Sequence, residues 1–399
     1  MNSAPSVKQK IDYLNRFFSS KKPVVLCYLI ILLNYLRNAY HHFGGDLYSD
    51  IRGYIIYANN LTFPGIYNTG IREPLWIWLV KLHLMVFHNH ELSMRVLGFL
   101  LLMVTAYLMH RFVKDLTNSP FFAFVALFFI SCNNYISDTA VICTRDVLLT
   151  ATMPAVAYLT FINNSKLTPV KRLLLWGVAC CVVLGTKLSF FAPTVIAIFW
   201  SCYKFKIPLW KGFLPVLSGL LFISPYLLYC KKISGDYFYA NNLQIPITRG
   251  YECGVIDQNK CKYKCERYFR LNDYVKYPDS KTTSFDYIFR LRSMSELITS
   301  LTTGYVTMFL LPTDFSYRQI GGIRGPFNPF FFVYIGGLIF CLIGKYRSIV
   351  LLPILYLNVM PFAVDVMDRL DWRLYSQAAP FIGIIVGLGY YSYFKKKQV

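Results

Sequence analysis

The residues best suited to chemistry lie in a polar stretch that follows the first long apolar segment. Asp50 stands near its start. Three residues follow it at helical spacing and would share its face of a helix: Tyr54, Ala58 and Leu61. A carboxylate at a dry membrane edge gains proton affinity, which suits a general base that takes a proton from a hydroxyl group. The alternative, favoured by spacing alone, is that Asp50 only caps the helix. Asp46, four residues earlier, competes for the same catalytic role.

A second candidate group is the pair Arg145-Asp146, at the start of a later apolar segment. A charge at the centre of a membrane span costs roughly 2.5–3.5 kcal/mol, so this pair is expected at the outer rim, facing a cavity. Asp146 is therefore a further candidate catalytic acid. The competing interpretation, slightly favoured for the pair on its own, is a salt bridge that orients the helix.

A third group precedes the last apolar segment. Arg369 and Arg373 can hold a phosphate through paired N–H donors and stabilise it as it leaves, with Tyr375 beside them. The alternative is an ordinary solvated loop. Further positive charge for the same cavity comes from Arg52, Arg72 and Lys187.

The composition places these groups in a membrane protein. The chain has 399 residues, of which 55% are hydrophobic and 15% charged, and this excludes a typical soluble multidomain protein. The net charge of +21 lies in short basic clusters between apolar segments. Such clusters are typical of cytoplasmic loops, so we expect a membrane protein with no nucleic-acid partner.

The apolar segments and basic turns predict an all-α polytopic fold with both termini in the cytoplasm. The first segment has no small-residue cleavage site after it, so we interpret it as a retained span. Ten spans are expected, at about 23–40, 91–112, 120–136, 142–162, 171–187, 189–204, 211–229, 329–344, 348–364 and 377–394.

Two apolar stretches outside these spans are expected to lie along the membrane surface. Pro74–His88 is interpreted as an amphipathic helix of the outer interface, anchored by Trp76 and Trp78, and Ser295–Leu311 as an interfacial or re-entrant helix. Three regions follow from this arrangement. They are a seven-span core at 1–229 that includes the outer loop 41–90, an extracytoplasmic region at 230–328, and three C-terminal spans at 329–399.

Four cysteines are predicted to face an oxidising compartment, where one or two disulfides form. Their pairing stays open between three possibilities for Cys230, Cys253, Cys261 and Cys265. No histidine follows His110, which disfavours a zinc site. The sequence therefore predicts no metal ligands, although a divalent cation stays open as a cofactor.

Taken in order, these motifs resemble the GT-C glycosyltransferases. The stretch Asp50–Ala58, followed by Arg72–Trp76 before an amphipathic helix, is similar to the first outer loop of the branch that contains the protein O-mannosyltransferases and the lipid A aminoarabinose transferases. Ile51 stands where that branch usually has glutamate, and Glu73 replaces its first proline.

Later positions continue the resemblance. Asp146 matches the second acid of the family, Gly185–Lys187 resembles its Thr-Lys segment, and Arg373–Tyr375 resembles the Arg-Tyr before its last span.

The resemblance implies a polyprenyl- or dolichyl-phosphate-linked sugar as donor and inversion at the anomeric carbon. The acceptor would be a glycan, lipid or protein outside the cytoplasm. The protein itself would lie in the bacterial inner membrane in preference to the endoplasmic reticulum. In this interpretation Asp50 is the base, and Asp46 and Asp146 are the other candidate catalytic acids. The substrate-binding residues are Arg52, Tyr54, Arg72, Glu73, Arg145, Lys187, Arg369, Arg373 and Tyr375.

Two other functions remain open. A glycan polymerase or ligase would use the same lipid carriers on the same side of the membrane. A lipid or sugar transporter would place ionisable residues at mid-membrane, whereas here the charges collect at one face. The sequence contains no Asp-x-Asp motif and no Gly-rich phosphate loop, which disfavours a nucleotide-sugar donor.

Overall fold

The structure of the protein is a computed structural model. It describes residues 6–42, 49–70, 72–163, 167–234, 329–356 and 379–396, with the separate positions 237, 294, 295, 298, 302 and 377. Within these residues the secondary structure is helical, with no strand.

Fourteen α-helices are described. They are α1 Val7–Phe18, α2 Lys21–His42, α3 Ser49–Asn60, α4 Pro74–Val86, α5 His90–Thr117, α6 Pro120–Ser131, α7 Asn134–Ile142, α8 Arg145–Phe161, α9 Pro169–Thr186, α10 Phe191–Lys204, α11 Phe213–Ser234, α12 Pro329–Leu342, α13 Leu351–Tyr356 and α14 Ala379–Lys396. Short 3₁₀ turns precede three of them, at Leu188–Phe190, Leu209–Gly212 and Arg347–Val350.

Several of these helices are long and apolar enough to cross a membrane. By length and composition four qualify, namely Lys21–His42, His90–Thr117, Pro169–Thr186 and Leu209–Ile233, and six qualify if each of two bent pairs counts as one span. The second bent pair, Phe332–Leu342 with Arg347–Tyr356, covers parts of two predicted spans, 329–344 and 348–364. The three remaining predicted spans coincide wholly or partly with α8, α10 and α14. The described part of the chain thus supports a multi-span membrane protein, and the count of ten stays a prediction.

The predicted boundaries around residue 136 are wrong. The apolar run does not continue as one helix, because α6 ends at Ser131 and α7 begins at Asn134, bent by 55° from α6. Asn133 causes this break, since its side-chain oxygen accepts a hydrogen bond from the Ile136 N–H and so starts a new helix (3.2 Å). The next helix starts at Arg145, not at 142.

The last helix is packed tightly into the bundle through small residues. A Cβ atom on Gly383 would lie 2.8 Å from the Ala126 carbonyl oxygen, and one on Gly387 would lie 2.9 Å from that of Phe122. These two glycines, one turn apart, let the backbones of α14 and α6 approach closely, as small residues do between membrane helices. The close approach carries the start of α14 to the centre of the bundle, where Ala379 and Phe381 are each 1% exposed.

The C-terminal end of α8 is held by a buried arginine. Arg172 of α9 is 2% exposed and donates to the carbonyl oxygens of Leu159 and Ile162, the latter at 2.6 Å. Its guanidinium also lies over the Phe205 ring, 3.5 Å from the centroid. The last carbonyls of a helix have no partner within the helix, so this side chain replaces the water that would otherwise satisfy them.

Replacing Arg172 by methionine should lower the stability of the protein by about 2 kcal/mol, because two buried carbonyl groups lose charged donors. The measurement is thermal unfolding of the purified protein in detergent. The matched control is Lys171→Met, one position away and exposed, which should leave the unfolding temperature unchanged. Equal effects of the two variants would show that Arg172 does not hold α8.

Candidate functional site

Helix α3 carries the predicted base near its first turn. It begins at Ser49, so Asp50 is its second residue, and the side chains of these two residues lie outside those described. The predicted face is confirmed for Tyr54, which is 2% exposed, and for Ala58, which is fully buried, whereas Leu61 lies just beyond the end of the helix at Asn60. Arg52 points to the exposed side of the same helix.

That face packs into an apolar cluster that joins α3 to α4 and to the start of α8. Ile51, Tyr54 and Ala58 meet Ile77 of α4 and Leu148 of α8 there. Helix α3 therefore lies close to the N-terminal end of α8, where Asp146 is located. The backbone of Asp50 and the Arg145-Asp146 pair consequently lie at the same end of the helix bundle.

The predicted role of Trp76 as a membrane anchor is wrong. Its side chain is 1% exposed and packs edge-on against Tyr54, with ring centroids 6.1 Å apart. Trp78 is half-buried, and its indole N–H donates to the Ile66 carbonyl at 2.6 Å. Helix α4 thus uses one tryptophan to fill the core and the other to hold the preceding loop.

The loop before α4 carries Arg72 to the same place. The Thr69 hydroxyl donates to the Arg72 carbonyl at 2.6 Å, and the Arg72 guanidinium lies over the Tyr54 ring, 5.4 Å from the centroid. A cation over an aromatic face is held by the charge distribution of the ring. The structure therefore brings together Arg72 and Tyr54, two of the predicted substrate-binding residues.

Glu73 connects three segments. One carboxylate oxygen pairs with the Arg145 guanidinium at the start of α8, and the other accepts the Leu188 backbone N–H at 3.1 Å. Both side chains are largely buried, at 13% exposure for Arg145 and 11% for Glu73. The glutamate that replaces the family's proline therefore binds the arginine that the sequence placed in a substrate cavity.

Asp146 forms the second ion pair. Its Oδ1 atom accepts from the Lys187 ammonium at 3.0 Å and from the Gln377 amide at 2.6 Å, while the Thr144 hydroxyl donates to Oδ2 at 3.4 Å. Lys187 lies 8% exposed in the turn between α9 and the following 3₁₀ turn. The prediction that Asp146 and Lys187 act at one site is consistent with this direct contact.

The two ion pairs form one closed circuit, which we call the charge ring. Arg145 and Asp146 are neighbours in sequence, as are Lys187 and Leu188, so Glu73 closes the circuit through Leu188. The ring contains two positive and two negative side chains and is neutral. Buried charges need such pairing, because an isolated ion in a low-dielectric interior costs several kcal/mol.

Gln377 is the member of this site that sequence reasoning missed. It is 1% exposed, and its Oε1 atom is buried with no hydrogen-bond partner in the part of the chain that the structure describes. No motif marks it, because an isolated glutamine before an apolar segment resembles an ordinary helix start. Its partner Asp146 lies 231 positions away in the sequence.

Several predicted site elements lie outside the described residues. They are Asp46, Arg369, Arg373 and Tyr375, the cysteines Cys253, Cys261 and Cys265, and nearly all of Ser295–Leu311. Within the described ranges, no three histidine, cysteine or carboxylate side chains come together in a group that could hold a metal ion.

The segment that contains the four charged residues of the ring is similar to a known protein family. Residues 72–229 match the model of the dolichyl-phosphate-mannose-protein mannosyltransferase family. The match covers roughly two fifths of the chain and contains all four charged residues of the ring, while Asp50 lies before it. No curated protein and no solved structure matches the chain.

The family match and the apolar helices together support a GT-C type domain in a membrane glycosyltransferase with a lipid-linked sugar donor. They do not distinguish the protein O-mannosyltransferase branch from the aminoarabinose transferase branch, nor a hexose from a pentose.

The Glu73–Arg145 pair should show a coupling energy of about 1–3 kcal/mol in a double-mutant cycle, because removing either partner leaves the other charge buried and unpaired. The variants are Glu73→Gln, Arg145→Met and their combination, and the measurement is the free energy of unfolding in detergent.

The exposed pair Arg111–Asp115 provides the control for this cycle, since Arg111 is 50% exposed and the two residues are one turn apart on α5. Pairs of this kind couple by about 0.3–0.5 kcal/mol. A coupling no larger for Glu73–Arg145 than for the control would contradict a buried charge ring.

Proposed function

We propose that the protein is an integral membrane glycosyltransferase that moves a sugar from a polyprenyl-phosphate type carrier to an acceptor outside the cytoplasm. The observation that carries this proposal is the charge ring, which lies within the segment that matches the mannosyltransferase family. A dry site that holds fixed cations at one end of a helix bundle suits a phosphate that must leave with negative charge.

The proposed reaction is a single displacement with inversion. The carboxylate of Asp50 takes the proton of the acceptor hydroxyl while the hydroxyl oxygen attacks the anomeric carbon of the sugar. The bond between that carbon and the phosphate oxygen breaks, and its electron pair leaves on the lipid phosphate. Attack from the face opposite the phosphate inverts the anomeric carbon.

The contacts of Asp146 support different proposed roles for the candidate acids. Asp146 accepts hydrogen bonds from Lys187, Gln377 and Thr144, so its oxygens are engaged by donors within the protein. A base must instead have an oxygen within reach of the acceptor hydroxyl. We therefore propose Asp146 as a positioning residue, with Asp50 as the base and Asp46 as the competing candidate.

Among the residues that the structure describes, we propose Lys187 as the group that binds the departing phosphate. An ammonium has three N–H donors, and Asp146 accepts from Lys187 at 3.0 Å. The remaining donors can bind phosphate oxygens while Asp146 fixes the position of the side chain. Arg72 and Arg52, at the same end of the bundle, add positive charge for the carrier.

The rest of the proposed organisation rests on the apolar segments and basic turns of the sequence and on the family resemblance. The proposed active site lies on the extracytoplasmic side of the membrane. The membrane is the bacterial inner membrane in preference to the endoplasmic reticulum. Ten spans leave both termini in the cytoplasm. Region 230–328 would shape the acceptor site. The acceptor is a glycan, a lipid or a protein.

The variant Asp50→Asn should reduce sugar transfer by at least about 100-fold, because the amide cannot accept the hydroxyl proton. The purified protein is incubated with undecaprenyl- and dolichyl-phosphate sugars and with acceptor extracts, and mass spectrometry detects the glycosylated product. Cell-envelope glycans of cells producing each variant provide the second measurement. Asp46→Asn is the control, expected to retain activity within about tenfold. The reverse ranking of the two variants would move the base to Asp46, and full activity in both would remove an outer-loop acid from the mechanism.

Lys187→Met should raise the donor KM and lower kcat, whereas Lys187→Arg should retain part of the activity, since only the first removes the phosphate contact. The combination Lys187→Met with Asp146→Asn separates the two roles of the lysine. If Lys187 only neutralises Asp146, the double variant should recover activity, because no unpaired charge is left. Persistent inactivity of a folded double variant is the result expected for phosphate binding.

A further inference from the structure

The N-terminal helix α1 has a defined start outside the bundle of long apolar helices. Ser6 accepts a hydrogen bond on its hydroxyl oxygen from the Gln9 N–H at 3.3 Å, and the Ser6 N–H donates to the Gln9 side chain at 2.9 Å. This reciprocal capping box stabilises the first turn. The helix ends at Phe18, two residues before α2 begins at Lys21.

One side of α1 is attached to the bundle. Asn15 accepts on its side-chain oxygen from the Ser119 hydroxyl at 2.6 Å and from the Phe121 N–H at 3.3 Å. The Phe18 ring packs against the Phe121 and Phe124 rings, with centroids 5.3 and 4.2 Å away. Helix α1 is thus fixed against the first turns of α6.

These contacts locate α1 at one end of the bundle. Helix α2 runs beside α6, since the Asn34 side-chain amide donates to the Ser131 carbonyl at 2.7 Å. Both helices begin ten or so residues before these two positions, α2 at Lys21 and α6 at Pro120. Helix α1 contacts α6 at this same end of the bundle. Because α2 is a candidate span, α1 lies where a membrane helix meets the headgroup region.

The flank of α1 turned away from α6 is aromatic and exposed. Tyr13 is 68% exposed and Phe17 is 57% exposed, and the two lie one turn apart. Lys10 adjoins them and is also exposed. A separate stripe at four-residue spacing contains only charged side chains, at Lys8, Asp12 and Arg16.

We propose that α1 lies in the plane of the membrane surface and binds anionic lipid headgroups. Tyr13 and Phe17 would enter the boundary between headgroups and acyl chains, where amphipathic aromatic rings are favoured. The basic residues supply the charge complementarity for anionic lipid, since exposed lysines and arginines outnumber the one acid of the helix. They are Lys8, Lys10, Arg16, Lys21 and Lys22.

This proposal is independent of the proposed catalytic activity. In this proposal α1 binds lipid on one side and the turn between α5 and α6 on the other, and so attaches that turn to the membrane surface. The side chains that meet the lipid differ from those that meet α6, so the two contacts form at the same time. A water-exposed α1 would instead leave two aromatic rings one turn apart in solvent.

The test uses the full-length protein in lipid nanodiscs, with dansylalanine in place of Tyr13 or, as matched control, of Asp12. The expected result is blue-shifted emission at position 13 that is quenched by brominated phosphatidylcholine, with aqueous emission at position 12. Replacing part of the phosphatidylcholine by phosphatidylglycerol should increase the shift at position 13.

The triple variant Lys8→Gln, Lys10→Gln, Arg16→Gln keeps Lys21 and Lys22 and should show a much smaller dependence on phosphatidylglycerol, since each basic residue strengthens binding to an anionic surface roughly fivefold. Aqueous emission at both positions would overturn the proposal. Blue-shifted emission at position 13 without quenching by the brominated lipid would also overturn it, because protein and not lipid would then cover the flank. A phosphatidylglycerol effect of undiminished size in the triple variant would overturn the proposal that the basic residues of α1 bind anionic headgroups.

Discussion

The pairing of opposite charges in a dry interior is the constraint on which the candidate site depends. Glu73, Arg145, Asp146 and Lys187 are all largely buried, and none would be stable there without its partner. Because the four side chains come from the starts of two helices and from one interhelical turn, their pairing fixes the starts of α4 and α8 relative to the end of α9. The same pairing decides which groups remain for substrate, since an acid already bonded to a lysine is poorly suited to take a proton from an alcohol.

Helix α8 shows how far this constraint extends. At its N-terminal end Arg145 and Asp146 face partners on other segments, and at its C-terminal end Arg172 occupies the carbonyls that the helix leaves open. Both ends are therefore held by charged groups, while the apolar sides between them pack into the core. A helix fixed in this way can present Asp146 in one position. A fixed position of this kind is what the proposed transfer requires, since reacting groups must be held at a set distance from one another.

The sequence predicted the local features well, because they depend on residue type and spacing. The buried face with Tyr54 and Ala58 follows from helical periodicity, and the apolar runs predict the four helices that are long and apolar enough to cross a membrane. All four charges of the ring are among the residues that the sequence singles out as candidates. Which of them pair with one another is not predictable, because an ion pair between positions 73 and 145 leaves no periodic signal in one sequence.

The errors have equally physical causes. The break after Ser131 was missed because the run stays apolar while Asn133 starts a new helix, a competition that hydropathy does not measure. Trp76 was interpreted as an anchor because tryptophan is common at membrane interfaces, whereas packing against Tyr54 buries it. Spacing places Asp50 on α3, and its two interpretations, catalysis and capping, predict the same position in the sequence.

The hydrogen bond from Gln377 to Asp146 has a consequence for biosynthesis. Asp146 leaves the ribosome long before Gln377 does, so the growing chain contains an acid whose final donor has not yet been translated. Lys187 is translated before Gln377 and can therefore pair with Asp146 earlier. The full set of donors around Asp146 requires the residue just before the last helix, so a chain that ends before Gln377 would contain the family-matching segment without this last donor.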